Sequence, residues 1–440
     1  MLSTTELLET LADWNYWNRP LPGTFSREKY EKEVLTKSET GEIVVLQGVR
    51  RSGKSTILQN TIRRLVENGV AARDILFVNL EDPRFFGHLT PGLLSRIKEV
   101  YLQHLNPGGV PYLILDEVQN VPGFEKWLLK EYELGGARLF VTGSNSRLSS
   151  REIGTALVGR YLDVRVFPLD FREFLEFHGL NPTDRLELAQ RRIEVRRLFD
   201  EYVEYGGFPK VVLTDDMTMK RAEVKIYFDS IVLRDIVARY RLDNFEALLG
   251  LAVYLLSHAS SPLSLNGLKN HFGLSFDLVE RYVAYLENAY LVFRVPRFDW
   301  SLKRQRANPR KIYAVDTGLA NAVSFQVGQR VGQCLENLVF LELLRRGEEV
   351  YYCKTQAGYE VDFLVKRGPA IVQLIQVCTS LENRKTRERE LRSLVRAAGE
   401  IPHAGNAELL VLVPDHEETL MKEGKEIRVV ELKSWLLGLA

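Results

Sequence analysis

Ile43-Val44-Val45-Leu46-Gln47-Gly48-Val49-Arg50-Arg51-Ser52-Gly53-Lys54-Ser55 is the stretch on which the reading of the whole chain turns. The apolar run reads as a buried strand. The eight residues from Gly48 to Ser55 fit Gly-x4-Gly-Lys-Ser/Thr, the loop that wraps a nucleoside triphosphate. Its glycines let the backbone fold back, so that successive N–H groups and the following helix N-terminus converge on the phosphates. Gly48, Val49, Arg50, Arg51, Ser52, Gly53, Lys54, Ser55 and Thr56 are therefore the expected nucleotide-binding residues. Lys54 places a point charge on the β/γ oxygens, and Ser55 offers a hydroxyl to Mg2+. Ile57, Leu58, Ile62, Leu65 and Val66 then fall at helical spacing, as such a loop requires.

Hydrolysis needs a second metal ligand and a base, and Tyr112-Leu113-Ile114-Leu115-Asp116-Glu117, about sixty residues further on, supplies both. A buried parallel strand would deliver Asp116 to the carboxyl edge of a sheet, where such sheets bind ligands. There Asp116 holds Mg2+ and Glu117 polarises the attacking water. A further strand ends in Thr142, Ser144 and Asn145, which either orient that water or close a turn.

At 440 residues the chain is expected to form two or three domains. Its 59 basic and 58 acidic residues nearly cancel, so no global field recruits nucleic acid or membrane, and any such surface is local. Cys334, Cys353 and Cys378 form no Cys-x2-Cys pair, which suits a reducing cytoplasm rather than a zinc site. The N-terminus lacks a basic-then-apolar signal pattern, and no eighteen apolar residues run together. A soluble protein without a membrane partner is expected.

Residues 1–38 read as an amphipathic leader whose Trp14 and Trp17 pack on the next domain. Over 39–170, strands at 43–46, 75–80, 113–116, 139–142 and 164–167 alternate with helical stretches, the pattern of a parallel α/β sheet with helices on both faces. The pattern turns helical over 171–245, broken at Gly206-Gly207-Phe208-Pro209. Residues 246–320 give three helices and two short β-like runs, the rhythm of a winged helix-turn-helix. The second of its paired helices, 276–287, carries Arg281 against Asp277, Glu280 and Glu287, a poor phosphate surface. Its wing holds Lys303, Arg304, Arg306, Arg310 and Lys311 beside Trp300. These residues are either DNA contacts or a solvated or protein-binding loop.

The last segment, 321–440, is again α/β. Glu336 on a helix, Asp362 on a second strand and Gln376 on a third are spaced as Mg2+-dependent nucleases space their ligands. That chemistry wants a lysine two residues beyond the third position, where this chain has Cys378; Lys354, Lys366 or Lys385 would have to substitute from elsewhere. A nuclease-like fold with lost chemistry is expected. If its carboxylates form an exposed relic, removing Glu336 or Asp362 should change stability little.

This order of parts resembles archaeal and bacterial AAA+-type ATPases with an endonuclease-like C-terminal domain of unknown function. The resemblance rests on Gly48 to Ser55, Leu115-Asp116-Glu117-Val118-Gln119, Thr142-Gly143-Ser144-Asn145-Ser146, Gly159-Arg160 before Phe167-Pro168-Leu169-Asp170-Phe171-Arg172-Glu173-Phe174, and Gly206-Gly207-Phe208-Pro209. It implies an AAA+-like core at 39–170, a helical lid at 171–245, a winged helix at 246–320 and a degenerate nuclease-like domain at 321–440. It further implies that Asn145 or Ser144 senses the γ-phosphate and that Arg160 is an arginine finger offered to a neighbouring subunit, unless Arg160 is a plain structural arginine. The expected function is that of an ATP-hydrolysing motor or switch, acting on DNA, in a homo-oligomer with shared active sites. The rivals are a signalling or scaffold ATPase that binds a protein partner and, less favoured, an ATP-gated Mg2+-dependent nuclease.

Overall fold

The computed structural model describes residues 2–17, 23–144, 157, 159–324 and 330–440. They divide into two compact units, Met1–Val166 with Asn288–Tyr290, and Phe167–Glu287 with Leu291–Ala440.

The first unit is a five-stranded parallel sheet, β1 (Ile43–Gln47), β2 (Ile75–Asn79), β3 (Tyr112–Asp116), β4 (Arg138–Gly143) and β5 (Tyr161–Arg165), in the order β2-β3-β4-β1-β5. Strict alternation along buried strands divides their side chains between two cores. Ile43, Val45, Leu76, Val78, Leu113, Leu115, Leu139 and Val141 meet helices α1 (Thr4–Trp14), α4 (Pro91–Leu105) and α5 (Phe124–Leu134). Val44, Leu46, Ile75, Phe77, Ile114, Phe140 and Val164 meet α2 (Glu28–Ser38) and α3 (Lys54–Glu67). The fifth strand, expected at 164–167, forms three residues earlier. It is an edge strand in which Asp163 and Arg165 face solvent, so its apolar content does not mark its start.

The leader completes this unit. Asn15 accepts from the Phe77 N–H at 2.7 Å and donates to the Phe77 carbonyl at 2.8 Å, so its amide closes the open edge of β2. Trp14 donates to Asp82 and Trp17 to the Ile75 carbonyl, while Trp17 stacks on Tyr101. Residues 288–290, reached after more than a hundred residues of the second unit, return here: the Tyr290 hydroxyl donates to Gln47 Oε1 at 2.8 Å, at the foot of the Gly48 loop.

In the second unit the helix Arg192–Tyr205 ends at the Gly206 turn, and Gly207 donates its N–H to the buried carboxylate of Asp316 at 2.7 Å. After helices Pro209–Val212, Met217–Ser230 and Ile231–Ala238 come helix Glu246–Ser257, strand β6 (Ser261–Leu263), helices Leu265–Phe272 and Phe276–Asn288, β7 (Val292–Val295), the short helix Leu302–Ala307 and β8 (Arg310–Ala314); the three strands pair antiparallel in the order β6-β8-β7. A six-stranded mixed sheet ends the chain, formed by β9 (Glu349–Lys354), β10 (Glu360–Arg367), β11 (Ala370–Val377), β12 (Glu408–Val413), β13 (Glu418–Lys422) and β14 (Lys425–Glu431), in the order β13-β14-β12-β11-β10-β9. Helices Val331–Arg345 and Arg384–Glu400 pack on it, the first into the core around Phe363 and Ile375, the second into the core around Leu374 and Val411. No helix among the described residues is long and apolar enough to cross a membrane.

Candidate functional site: a phosphate loop and a carboxylate pair

Strand β1 runs directly into the loop. A Cβ on Gly48 would lie 2.0 Å from the Val166 carbonyl oxygen, and Val166 donates its N–H to Gln47 at 2.7 Å, so only glycine lets the chain leave the strand here. Gly53 opens α3 with φ of 97°, and no side chain caps that helix, which leaves its first-turn N–H groups directed at the loop's concave side. Lys54, the first residue of α3, is 4% exposed and donates to the carbonyls of Gly48 and Val49 at 3.1 Å each. Its ammonium is held inside the turn. Arg27 of the leader, also buried, donates to the Ser52 carbonyl at 2.9 Å and so fixes the loop from behind; no sequence motif marks it. Arg50 reaches outward to Glu81 at 2.9 Å.

Asp116 and Glu117 leave β3 at the same edge. Thr142, at the end of β4, ties them together: its hydroxyl donates to Asp116 Oδ1 at 2.5 Å and accepts the Glu117 N–H at 2.8 Å. Glu117 has φ of 56°, a left-handed conformation rare for a residue with a side chain, and such strain collects at functional sites. Gln119 donates its amide to one Glu117 oxygen, while the other lies 3.8 Å from the Lys54 ammonium. Burial, then the neighbouring Glu117, pushes the Asp116 carboxyl up to about 6, against the pull of Thr142, Ser55 and Lys54. Ser55, next to Lys54 at the start of α3, lies near enough to favour the charged Asp116, so a hydroxyl and a carboxylate are available as hard oxygen donors. A divalent cation there would also relieve the Asp116–Glu117 repulsion, so the donor set fits Mg2+.

The structure thus brings Gly48, Gly53, Lys54, Ser55, Asp116, Glu117 and Thr142 to one sheet edge. Ser144 is buried just beyond β4, and Asn145 lies outside the described residues. Arg160 is elsewhere. The register Ile43↔Tyr161 sets it beside the start of β1, whereas the phosphate loop leaves the other end, about 16 Å away along five residues of strand. Arg160 is half-exposed and 3.5 Å from Glu133. It therefore does not reach the phosphates of its own subunit.

The basic run near residue 300 is split. Lys303, Arg304 and Arg306 are exposed on the short helix Leu302–Ala307, with Arg304 2.9 Å from Asp299, and Arg310 is half-buried. Lys311 is a correction: it is 1% exposed and so not a DNA contact. On β8 successive side chains face opposite ways, and Lys311 and Tyr313 point together into the C-terminal carboxylates. Lys311 Nζ lies 3.0 Å from Glu336, 3.0 Å from Glu360 and 3.1 Å from Asp362; Tyr313 donates to Glu336 at 2.7 Å. Burial would lower the Lys311 ammonium, but Asp362, Glu336 and Glu360 outweigh it and push it up. Burial and Asp362 in turn push the Glu336 carboxyl up to about 8. Gln376 donates instead to Glu390 at 2.6 Å, and Cys378 is a buried thiol pushed up to about 12, chiefly by that burial. Lys354 and Lys385 are exposed, and Lys366 lies 3.6 Å from Glu349.

The expected exposed relic is therefore a filled, buried centre, and the expectation of unchanged stability falls with it. Asp362 accepts from both Lys311 and the Val377 N–H. Asp362→Ala should cost about 3 kcal/mol in urea unfolding, because it strips a buried ammonium of a partner. A cost under about 1 kcal/mol, the range of an exposed ion pair, would contradict this.

Residues 40–175 match the sequence profile described as an AAA domain, and residues 196–330 and 331–435 match two domains of unknown function, DUF8612 and DUF4143. An uncharacterized protein of Methanocaldococcus jannaschii is 31% identical over 419 residues, covering 92% of this chain and 90% of the relative. An uncharacterized protein of Haemophilus influenzae is 31% identical over 360 residues, covering 79% and 85%. Among solved structures, AMPPCP-bound DnaA from Aquifex aeolicus has a TM-score of 0.28 at 16% identity, covering 62% of this chain and 93% of that one. A STAND ATPase with a tetratricopeptide repeat sensor from Pyrococcus horikoshii has a TM-score of 0.28 at 14% identity; the match covers 74% of this chain and under half, 46%, of that one. With a relative aligned over nine-tenths of both chains at 31% identity, this protein belongs to one family with the uncharacterized Methanocaldococcus jannaschii protein, and its phosphate loop and carboxylate pair lie inside the segment that matches an AAA domain.

Proposed function

We propose that the protein hydrolyses ATP and uses the cycle as a motor or switch acting on DNA, in a homo-oligomer that shares active sites in the cytoplasm. The convergence of Lys54, Ser55, Asp116, Glu117 and Thr142 on one sheet edge carries the hydrolytic part. The loop N–H groups and Lys54 bind the phosphates and neutralise their charge. Ser55 and Asp116 would hold Mg2+, which supplies positive charge to the β/γ oxygens. Glu117, oriented by Gln119 and by its own left-handed backbone, accepts the proton of the attacking water. Thr142 keeps the two carboxylates in register, and Ser144 or Asn145 is the γ-phosphate sensor. Arg160, on the far edge of the sheet, serves a neighbouring subunit's phosphate.

Several observations support the assignment of the remaining segments. The helices of 171–245 form the lid. The order helix, strand, helix, helix, strand, short helix, strand over 246–314, with β6-β8-β7 antiparallel, supports a winged helix. Helix Val331–Arg345, the antiparallel β9–β11, helix Arg384–Glu400 and the parallel β12 support an endonuclease-like domain, now without its chemistry. The three cysteines are free thiols, as in a reducing compartment.

DNA contact rests on the exposed Lys303, Arg304 and Arg306 beside the half-exposed Trp300. Gel shifts with duplex, single-stranded and branched DNA, with and without a nonhydrolysable ATP analogue, test it. Replacing the three basic residues with Ala should weaken binding and flatten the slope of log affinity against log salt by up to about 2.7, some 0.9 for each lost phosphate contact. Unchanged affinity and slope would shift the assignment to a protein partner. That second reading is favoured by the acidic helix Phe276–Asn288 and by Met217, Met219, Ile226 and Leu233, apolar residues exposed along one helical stretch.

A further inference from the structure

The carboxylates of Glu336, Glu360 and Asp362 come from a helix and a strand of the C-terminal part, and the ammonium that meets all three comes from β8, in the preceding three-stranded sheet. We propose that Lys311 is the resident cation of this centre: it occupies the place a divalent metal would need, excludes metal from it, and makes the former site an ionic clasp between β8 and the C-terminal sheet.

The geometry carries this in three respects. First, Lys311 is 1% exposed and its Nζ sits 3.0–3.1 Å from one oxygen of each acid, so a second cation among the same oxygens would meet the ammonium at contact distance. Second, two further donors already hold these acids. Asp362 takes the Val377 N–H on its other oxygen, and Tyr313 donates to the same Glu336 oxygen that Lys311 touches. Third, the backbone of β8 is itself tied to the helix that carries Glu336. Asn337, next to Glu336 on the helix, exchanges two hydrogen bonds with the backbone of Ala314, at 2.7 and 3.0 Å, so the lysine is delivered by a strand anchored to the helix that carries its partner. Such a lysine is unlike the water-positioning lysine of a metal nuclease, which stands beside the metal rather than among its ligands.

The inference rests on the reading of the C-terminal part as a nuclease-like fold without nuclease chemistry, and the experiment separates the two. Nucleotide-free wild-type protein is titrated with Mn2+ and free Mn2+ is read by EPR, alongside a cleavage assay on duplex, single-stranded and branched DNA. The wild type should show no Mn2+ binding that depends on Asp362. Lys311→Met, which keeps the length and removes the charge, should gain one Mn2+ per chain, about tenfold or more tighter than any binding in the wild type, and adding Asp362→Asn should abolish the gain. Its melting temperature should fall in EDTA and recover in Mn2+. Should Lys311→Met not fold, the charge-balanced pair Lys311→Met with Glu336→Gln takes its place, with the same gain expected and the same loss on Asp362→Asn. Wild-type Mn2+ binding that Asp362→Asn removes would overturn the clasp even if no DNA is cut. A folded Lys311 variant that gains no Mn2+ overturns it too. Metal-dependent cleavage by the wild type, lost in both Glu336→Ala and Asp362→Ala, would overturn the loss of nuclease chemistry as well.

Discussion

Glu117→Gln should keep ATP bound and slow its hydrolysis by about 10²- to 10⁴-fold, the usual contribution of a general base. The substitution preserves the size of the side chain and its contact with Gln119 but removes the proton acceptor. Lys54→Ala acts at an earlier stage. It deletes a buried charge held within the phosphate loop, and the loss of a charge-assisted contact should weaken ATP binding about a hundredfold. Fluorescent-nucleotide titration and phosphate release, measured on both variants, separate the two. Hydrolysis by Glu117→Gln at the wild-type rate would show that another group activates the water.

Arg160→Ala should leave nucleotide binding almost unchanged and slow turnover by about 10³ or more, the scale of an arginine that stabilises transition-state charge. Its place just before β5, at the end of the sheet away from the loop, would make such an effect intermolecular. Mixing Arg160→Ala with Lys54→Ala should therefore restore part of the activity, since one subunit keeps the loop and the other keeps the arginine. No recovery, once mixed assembly is verified by mass, would count against a shared site. An arginine that merely pairs with Glu133 on the surface would give wild-type turnover when removed.

The nucleotide site was legible because its chemistry demands residues close in sequence. A loop that wraps phosphates must carry glycines at fixed spacing, and an acid pair at a strand end needs only the strand before it. Two supports were not legible, because they come from far along the chain: Arg27 behind the loop and Asn15 on the β2 edge announce themselves by no local pattern. Lys311 shows the limit most clearly. In sequence it closes a basic run and reads as one more surface charge, but β8 alternates its side chains, so Arg310 and Lys311 face opposite ways. Only the long-range pairing with Glu336, Glu360 and Asp362 decides which is buried. The β13–β14 hairpin went unread for a different reason. Its strands are half-exposed and charged, but the two-residue loop Glu423-Gly424, both with positive φ, is a hairpin signal that the sequence does carry.

The return of residues 288–290 to the first unit has a consequence for how this protein can be taken apart. A fragment cut at Val166, the obvious boundary along the chain, would omit Tyr290, whose ring is 5% exposed and whose hydroxyl satisfies the wholly buried Gln47 at the base of the phosphate loop. Such a fragment keeps every residue of the nucleotide motif, yet it opens a gap beneath the strand that delivers it and leaves a buried amide oxygen without its donor. The ATPase unit is thus discontinuous in the gene although it is contiguous in space. Fusion of the two pieces through a short linker, or supply of 288–290 in trans, is the way to isolate it.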